Sequence, residues 1–307
     1  MFNIILASPR WYCAGVDRAI GMLSDILEKY GAPIYVNHEI VHNRFIVKYF
    51  ESKWVIFSDD LERIQAWEIM VFSAHWVAPS YIKRVQAKWI KYIDASCPLV
   101  IKVHNEAKKF IADGYEVIYI WKHNHQEAIW VADNDLEKIH VISNRADLEK
   151  THFSPDTKLA LLNQTTLSVD DTKYLITEVQ LKHPQVVLPW FSDICYATTN
   201  RQNAVKEMIP EIDALIIVWS KNSSNSLKLK LIGDQNSLPS LLIDSPDEIP
   251  SSFLDWIHNI WISSWASVSE DLVRAVISHL KVAGWVFLKE VKVAEEKMIF
   301  PYNLELK

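Results

Sequence analysis

Residues 97–127 read CPLVIKVHNEAKKFIADGYEVIYIWKHNHQE, and this stretch decides the fold. After the cysteine, apolar residues recur three and four apart for about four turns, which predicts an amphipathic helix. A β-branched run, Glu116–Ile120, predicts a buried strand, and a polar cluster closes the unit. The pattern occurs twice more. Cys13 opens CAGVDRAIGMLSDILEKYGAPIYVNHEIVHN and Cys195 opens CYATTNRQNAVKEMIPEIDALIIVWSKNSSN, with strands expected at Pro33–Val36 and Ala214–Val218. The distance from cysteine to polar cluster is 29 residues for Cys13 to His42, 28 for Cys97 to His125 and 28 for Cys195 to Ser223.

Each copy then carries a second apolar run with a small or polar end: EIMVFSAH to His75, KLALLNQTT to Thr166, and NIWISSWAS to Ser267. Helical patterns such as DDTKYLITEVQLK and SEDLVRAVISHLK follow. Alternating strands and helices argue for parallel α/β units, whose ligands bind at the carboxyl ends of the strands. Both polar clusters of every copy fall at such ends. The expected division is a first α/β repeat with its N-terminal strand over 1–97, a second over 98–194, a third over 195–282, and a C-terminal tail over 283–307 that closes over the centre.

Composition narrows the function classes. The chain has 307 residues, is 50% apolar and 23% charged, and carries a net charge of −6, so it has a globular balance and no basic footprint for nucleic acid. Its apolar runs are far shorter than the ~20 residues of a membrane span, and the N-terminus has no secretory pattern. A cytoplasmic protein is expected. Three cysteines, an odd number spread far apart, do not make a disulfide framework.

Matching offsets in three copies set these cysteines apart from unrelated buried thiols. Brought together about a pseudo-threefold axis, three thiolates suit zinc with a fourth ligand or an iron–sulfur cluster. The short local spacings usual for structural zinc are absent. A 4Fe–4S cube on three cysteines keeps one iron without a protein ligand, an open Lewis-acid site that also delivers electrons. The loops offer His42, His75, His125, Thr166, Ser223, Ser224, Asn225 and Ser267, neutral donors and imidazoles suited to a diphosphate. No Walker-type loop is present. Glu127, two residues beyond His125 and expected beside the hydroxyls of NQTT, can relay protons to a leaving hydroxyl.

These residues resemble the 4-hydroxy-3-methylbut-2-enyl diphosphate reductase (LytB) family, from SPRWYCAGVDRA through YGAPIYVNHEIVHN, DASCPLV, NQTTLSVDDT, DICYATTNRQ and SKNSSNS to SSWAS. The resemblance implies a trefoil of three similar α/β domains around a central 4Fe–4S cluster held by Cys13, Cys97 and Cys195. It implies diphosphate contacts from His42, His75, His125, Thr166, Ser223, Ser224, Asn225 and Ser267, with Glu127 and nearby Thr165 handling the proton. The implied reaction is a reductive dehydration at the end of the methylerythritol phosphate isoprenoid pathway, in which the substrate hydroxyl meets the open iron. Electrons would come from ferredoxin or flavodoxin. The other classes open to these residues are a non-catalytic diphosphate-binding iron–sulfur protein and a cluster-dependent hydro-lyase.

One departure from the family is systematic. The chain has 6 Gly and 13 Trp, so glycine makes up about 2% of residues against a usual ~7%. Tryptophan stands where the family has glycine, most clearly at Trp11, Trp76, Trp219 and Trp265, and also at Trp54, Trp67, Trp89, Trp121, Trp130, Trp261 and Trp285. Overpacking costs about 1–3 kcal/mol per core position, more than a domain's margin of about 5–15 kcal/mol when repeated this often. The pattern reads as a codon, UGA, decoded as glycine in the source and rendered here as tryptophan. Trp256 in FLDWIHN is set apart as a genuine tryptophan on an apolar helix face, with Trp190 left undecided. Were the tryptophans real, the alternative is a degenerate or altered-specificity enzyme. A smaller departure is Gln126, where the family usually has proline.

Overall fold

Two strands of each repeat pair side by side and parallel. In the first repeat β2 (Ile34–Asn37) pairs with β4 (Ile69–Phe72), in the second β6 (Glu116–Ile120) with β8 (Leu159–Asn163), and in the third β9 (Ala214–Val218) with β11 (Asn259–Ser264). The computed structural model describes residues 2–75, 77–121, 137–189, 192–219 and 223–307, apart from the side chains of Ser224 and Leu288.

A third strand flanks the first on its outer side in every repeat: β3 (Val55–Phe57) beside β2, β7 (Ile139–Ile142) beside β6, and β10 (Ser240–Ile243) beside β9. On the other side, the second strand meets the segment that leads into a cysteine. β5 (Lys91–Asp94), which enters Cys97, pairs with β4. A parallel bridge joins Val187, upstream of Cys195, to Ala160 of β8. β1 (Asn3–Ser8), which enters Cys13, pairs with β11. The N-terminal strand, expected with the first repeat, therefore lies in the sheet of the third. The reason is cyclic: each entry strand pairs with the preceding repeat, and the first repeat has no predecessor but the last. β12 (Val286–Lys292) completes that sheet on the far side of β1.

The chain forms two compact units, Met1–Cys13 with Tyr196–Met298, and Ala14–Cys195 with Ile299–Lys307. The smaller holds the five-stranded sheet β10-β9-β11-β1-β12. The larger holds β3-β2-β4-β5 and β7-β6-β8. Every ladder among the described residues is parallel.

Parallel strands are covered on both faces, so alternate side chains enter different cores. Ile34, Val36 and Val71 pack with Met22, Leu23 and Ile26 of α1 (Ala14–Tyr30) and with Phe50 of α2 (Arg44–Glu51). Tyr35, Met70 and Phe72 pack on the opposite face with Val85 of α3 (Pro79–Ala87). The second sheet repeats this: Val117 and Tyr119 meet Val103 and Ala107 of α4 (Pro98–Ala112), while Ile118 and Ile120 meet Leu175 and Val179 of α6 (Val169–Lys182). The short helix α5 (Arg145–Lys150) precedes α6. In the smaller unit, α7 (Tyr196–Met208), α8 (Ser224–Gln235) and α9 (Glu270–Val282) complete the pattern. Among the described residues no helix is long and apolar enough to cross a membrane.

The tryptophans divide sharply. Trp54, Trp67, Trp89 and Trp256 have φ of 63°, 73°, 57° and 67°, in the left-handed region that favours glycine, and all four are exposed. Trp256 is not on a helix face, as expected, but in a turn after a 3₁₀ segment (Ser251–Phe253), and it is 95% exposed. The apolar pattern around it is too short to sustain a helix. Trp121, Trp219, Trp261, Trp265 and Trp285 are buried. In β11 the Trp261 indole N–H has no acceptor among the described residues. Trp76, Trp130 and Trp190 lie outside the described residues.

Candidate active site

Each cysteine stands directly ahead of its helix: Cys13 before α1, Cys97 at the N-cap of α4, and Cys195 before α7. A helix N-terminus carries partial positive charge and favours a thiolate. All three are half-buried, and none forms a disulfide.

The backbone of each cysteine is fixed in one way. The Cys97 amide donates to the Ala74 carbonyl at 3.0 Å, the Cys195 amide to Thr165 at 2.8 Å, and the Cys13 amide to Ala266 at 3.3 Å. The acceptor is always the residue before a polar position singled out in the sequence, namely His75, Thr166 and Ser267. These bonds follow from the pairing of each entry strand with the second strand of a repeat, which sets a cysteine turn against the loop at that strand's end. Thr165 and Ser267 are buried, and Thr166 is half-buried.

The other polar loops form two local groups. His42 and His75 stack with ring centroids 4.0 Å apart and an interplanar angle of 24°. His42 Nδ1 lies 3.3 Å from Glu39 Oε2, and this hydrogen bond holds the Glu39 carboxyl below the usual carboxylate range. Asn43, the next residue, caps α2 by accepting from the amides of Phe45 and Ile46. At α8, Ser223 is the N-cap and accepts from the Ser226 amide at 3.3 Å, so Ser223 and Asn225 stand at a helix N-terminus, a natural anion site. His125 and Glu127, with the side chain of Ser224, lie outside the described residues.

Among the described residues, no three His, Cys, Asp or Glu side chains are grouped to hold a single metal ion. A cube makes a different demand, since each thiolate takes a separate iron. Each of the three cysteines is unbridged, half-buried and at a helix N-terminus with an equivalent backbone bond, donor chemistry that suits one iron of such a cluster.

The LytB protein family model matches residues 4–281. The chain belongs to the LytB family. Relatives of this LytB chain include 4-hydroxy-3-methylbut-2-enyl diphosphate reductases of Streptomyces coelicolor (41% identical, covering 99% of this chain and 90% of that protein) and of Mycolicibacterium vanbaalenii (40%, covering 99% and 91%). A solved structure of E-1-hydroxy-2-methyl-but-2-enyl-4-diphosphate reductase from Plasmodium falciparum is similar over 99% of this chain and 95% of its own, with a TM-score of 0.93 at 30% identity.

The LytB chain also carries enclosed and half-buried charge beside its cysteines that the apolar pattern does not reveal. Asp193, whose side chain is 0% exposed, accepts from the Asn163 amide at 3.0 Å and from Lys102 Nζ at 3.1 Å. Burial pushes its carboxyl up to about 6 against the pull of these two donors. Arg18 Nη1 donates to the Ser96 carbonyl at 3.0 Å. Arg201, also 0% exposed, donates to the Trp11 carbonyl at 2.6 Å and pairs with Glu296 at 2.9 Å. The signal available in the sequence was a basic residue five or six positions after every cysteine, in CAGVDR, CPLVIK and CYATTNR.

Proposed function

We propose that this LytB-family chain is a 4-hydroxy-3-methylbut-2-enyl diphosphate reductase, which takes up two electrons and two protons, releases water and forms isopentenyl and dimethylallyl diphosphate. The observation that carries the reading is the thrice-repeated bond from a cysteine amide to the carbonyl before a polar loop residue. It supports a division of labour in which Cys13, Cys97 and Cys195 hold one 4Fe–4S cluster and the loops hold substrate. The relatives named above support the reductase over a non-catalytic diphosphate binder.

When bound, such a cluster would supply an open Lewis-acid iron and would relay, one at a time, the two electrons that the donor delivers. The chain supplies the rest. The N-terminal amides of α8, with Ser223, Ser224 and Asn225, offer donors to diphosphate oxygens. The stacked His42 and His75 rings add directed N–H groups, and His125, Thr166 and Ser267 complete the anion site. Glu127, oriented with help from Thr165, passes a proton to the departing hydroxyl, so that water and not hydroxide leaves. Ferredoxin or flavodoxin is the proposed donor, and the cytoplasm the proposed location.

The test is anaerobic oxidation of reduced methyl viologen by protein isolated from its source. Substrate-dependent bleaching with formation of the two five-carbon diphosphates is expected. A cluster-loaded protein that leaves the dye reduced in the presence of the allylic diphosphate overturns the reading.

A further inference from the structure

We propose that Arg18, Lys102 and Arg201 are positioning residues, each holding the turn that precedes the next cysteine in a cycle 13→97→195→13. Arg18, on the helix that starts after Cys13, bonds to the carbonyl of Ser96, the residue before Cys97. Lys102, on the helix capped by Cys97, pairs with Asp193, two residues before Cys195. Arg201, on the helix that starts after Cys195, bonds to the carbonyl of Trp11, two residues before Cys13. Two links lie within the larger unit and the third within the smaller.

Arg201 and Asp193 are enclosed, whereas Arg18 and Lys102 are half-buried. A charge-assisted bond strengthens where water is excluded, so in each link the cation and its acceptor hold each other. Arg201 also donates to the Ala197 carbonyl and to Glu296, which orient the group toward Trp11. Lys102 also pairs with Glu106 at 3.3 Å, and Asp193 bonds in addition to the amide of Asn163, the last residue of β8. Each cysteine turn is thus clamped from two sides, by its amide bond to a loop carbonyl and by a cation from another cysteine's helix. Groups that fix a ligand's backbone set where its sulfur points.

The test is amide hydrogen exchange, read peptide by peptide, on Arg18→Met, Lys102→Met and Arg201→Met. A hydrogen bond from a charged donor, once removed, corresponds to exchange about tenfold faster or more. The acceleration is expected only in the peptide holding Cys97 for the first variant, Cys195 for the second and Cys13 for the third. Uniform acceleration across the chain, or none at the named cysteine, overturns the proposal. Should a Met variant fail to accumulate as folded protein, Arg18→Lys, Lys102→Arg and Arg201→Lys keep the charge and shift its reach. They are expected to show the same local pattern at smaller amplitude, and a uniform or absent effect overturns the proposal equally. Iron and sulfide retained after anaerobic reconstitution form a second readout, expected to fall in each Met variant. That arm alone rests on the cluster reading: if even the unaltered protein takes up no iron while exchange responds locally, the proposed function fails and the positioning role stands.

A separate observation carries a second inference: residues 54, 67, 89 and 256 are glycine in the polypeptide that the source makes. The molecule contains its own control. α4 and α9 end on Gly114 and Gly284, at φ 81° and 90°, where the glycine amide bonds back to Ile111 or Lys281 and the next amide to Phe110 or Leu280. This is the Schellman arrangement, which places a left-handed residue just past the helix. α3 ends identically, with Trp89 bonding to Gln86 and Ile90 to Val85, but an indole occupies the left-handed position at φ 57°. Among the described residues, four of the six non-glycine residues at positive φ are tryptophan, and none of the four gains burial in return. Peptide masses from source protein are expected to show glycine at all four positions, and the gene to show UGA there. An indole-bearing peptide mass, or a UGG codon, at any of the four overturns the assignment for that residue.

Discussion

Glu127 is the side chain on which the proton balance of the proposed reaction depends. Glu127→Gln keeps size and hydrogen bonding but removes the acid. It is expected to lower kcat by about 10²–10⁴-fold while iron content and diphosphate affinity remain, measured by single-turnover dye oxidation and calorimetry. Equal loss of iron would instead mark a structural glutamate. His104 on α4 makes a prediction of a different kind. Burial, aided by nearby Lys108, depresses its pKa to about 3. Between that value and the ~6.5 of an unfolded chain, the unfolded state binds the extra proton, so stability falls as pH falls. His104→Leu is expected to flatten the slope of unfolding free energy against pH by up to about 1.4 kcal/mol per unit over this window, read from urea melts at stepped pH. An unchanged slope would mean that His104 already titrates normally in the folded protein.

Helix ends determine much of the site's geometry. Asn43 caps α2 next to His42, and the cap fixes the direction in which the chain leaves the histidine. Asn43→Ala is expected to cost about 1 kcal/mol of stability and to raise KM more than it lowers kcat, because substrate binding and not proton transfer loses its support. At the other end of a helix, in protein expressed with tryptophan at 89, Trp89→Gly is expected to raise stability by about 1–2 kcal/mol, the cost of a left-handed L-residue, with a higher Tm in calorimetry. Helix positions and the strands between them were legible in the sequence because apolar spacing carries that information. Trp256 was misread because FLDWIHN imitates a helical face over too few residues, and the backbone dihedral that exposes it has no signature in composition.

On the scale of the molecule, the threefold spacing located two strands in each repeat and the loops that carry His75, Thr166 and Ser267, while their direct pairing came only from the structure. It did not locate β1. Spacing describes what is near along the chain, whereas Asn3 pairs with Asn259, a partner no local pattern names. The three cations were passed over for a related reason: Arg and Lys on an amphipathic helix read as solvated, and only packing shows that Arg201 is enclosed. The β1 strand has one more consequence. It is synthesised before the first and second repeats, yet it is flanked by β11 and β12, which are synthesised after them. Its Ile4–Ile5–Leu6 segment must therefore wait, unpaired, while the two intervening repeats are made, an interval in which an apolar strand is open to aggregation.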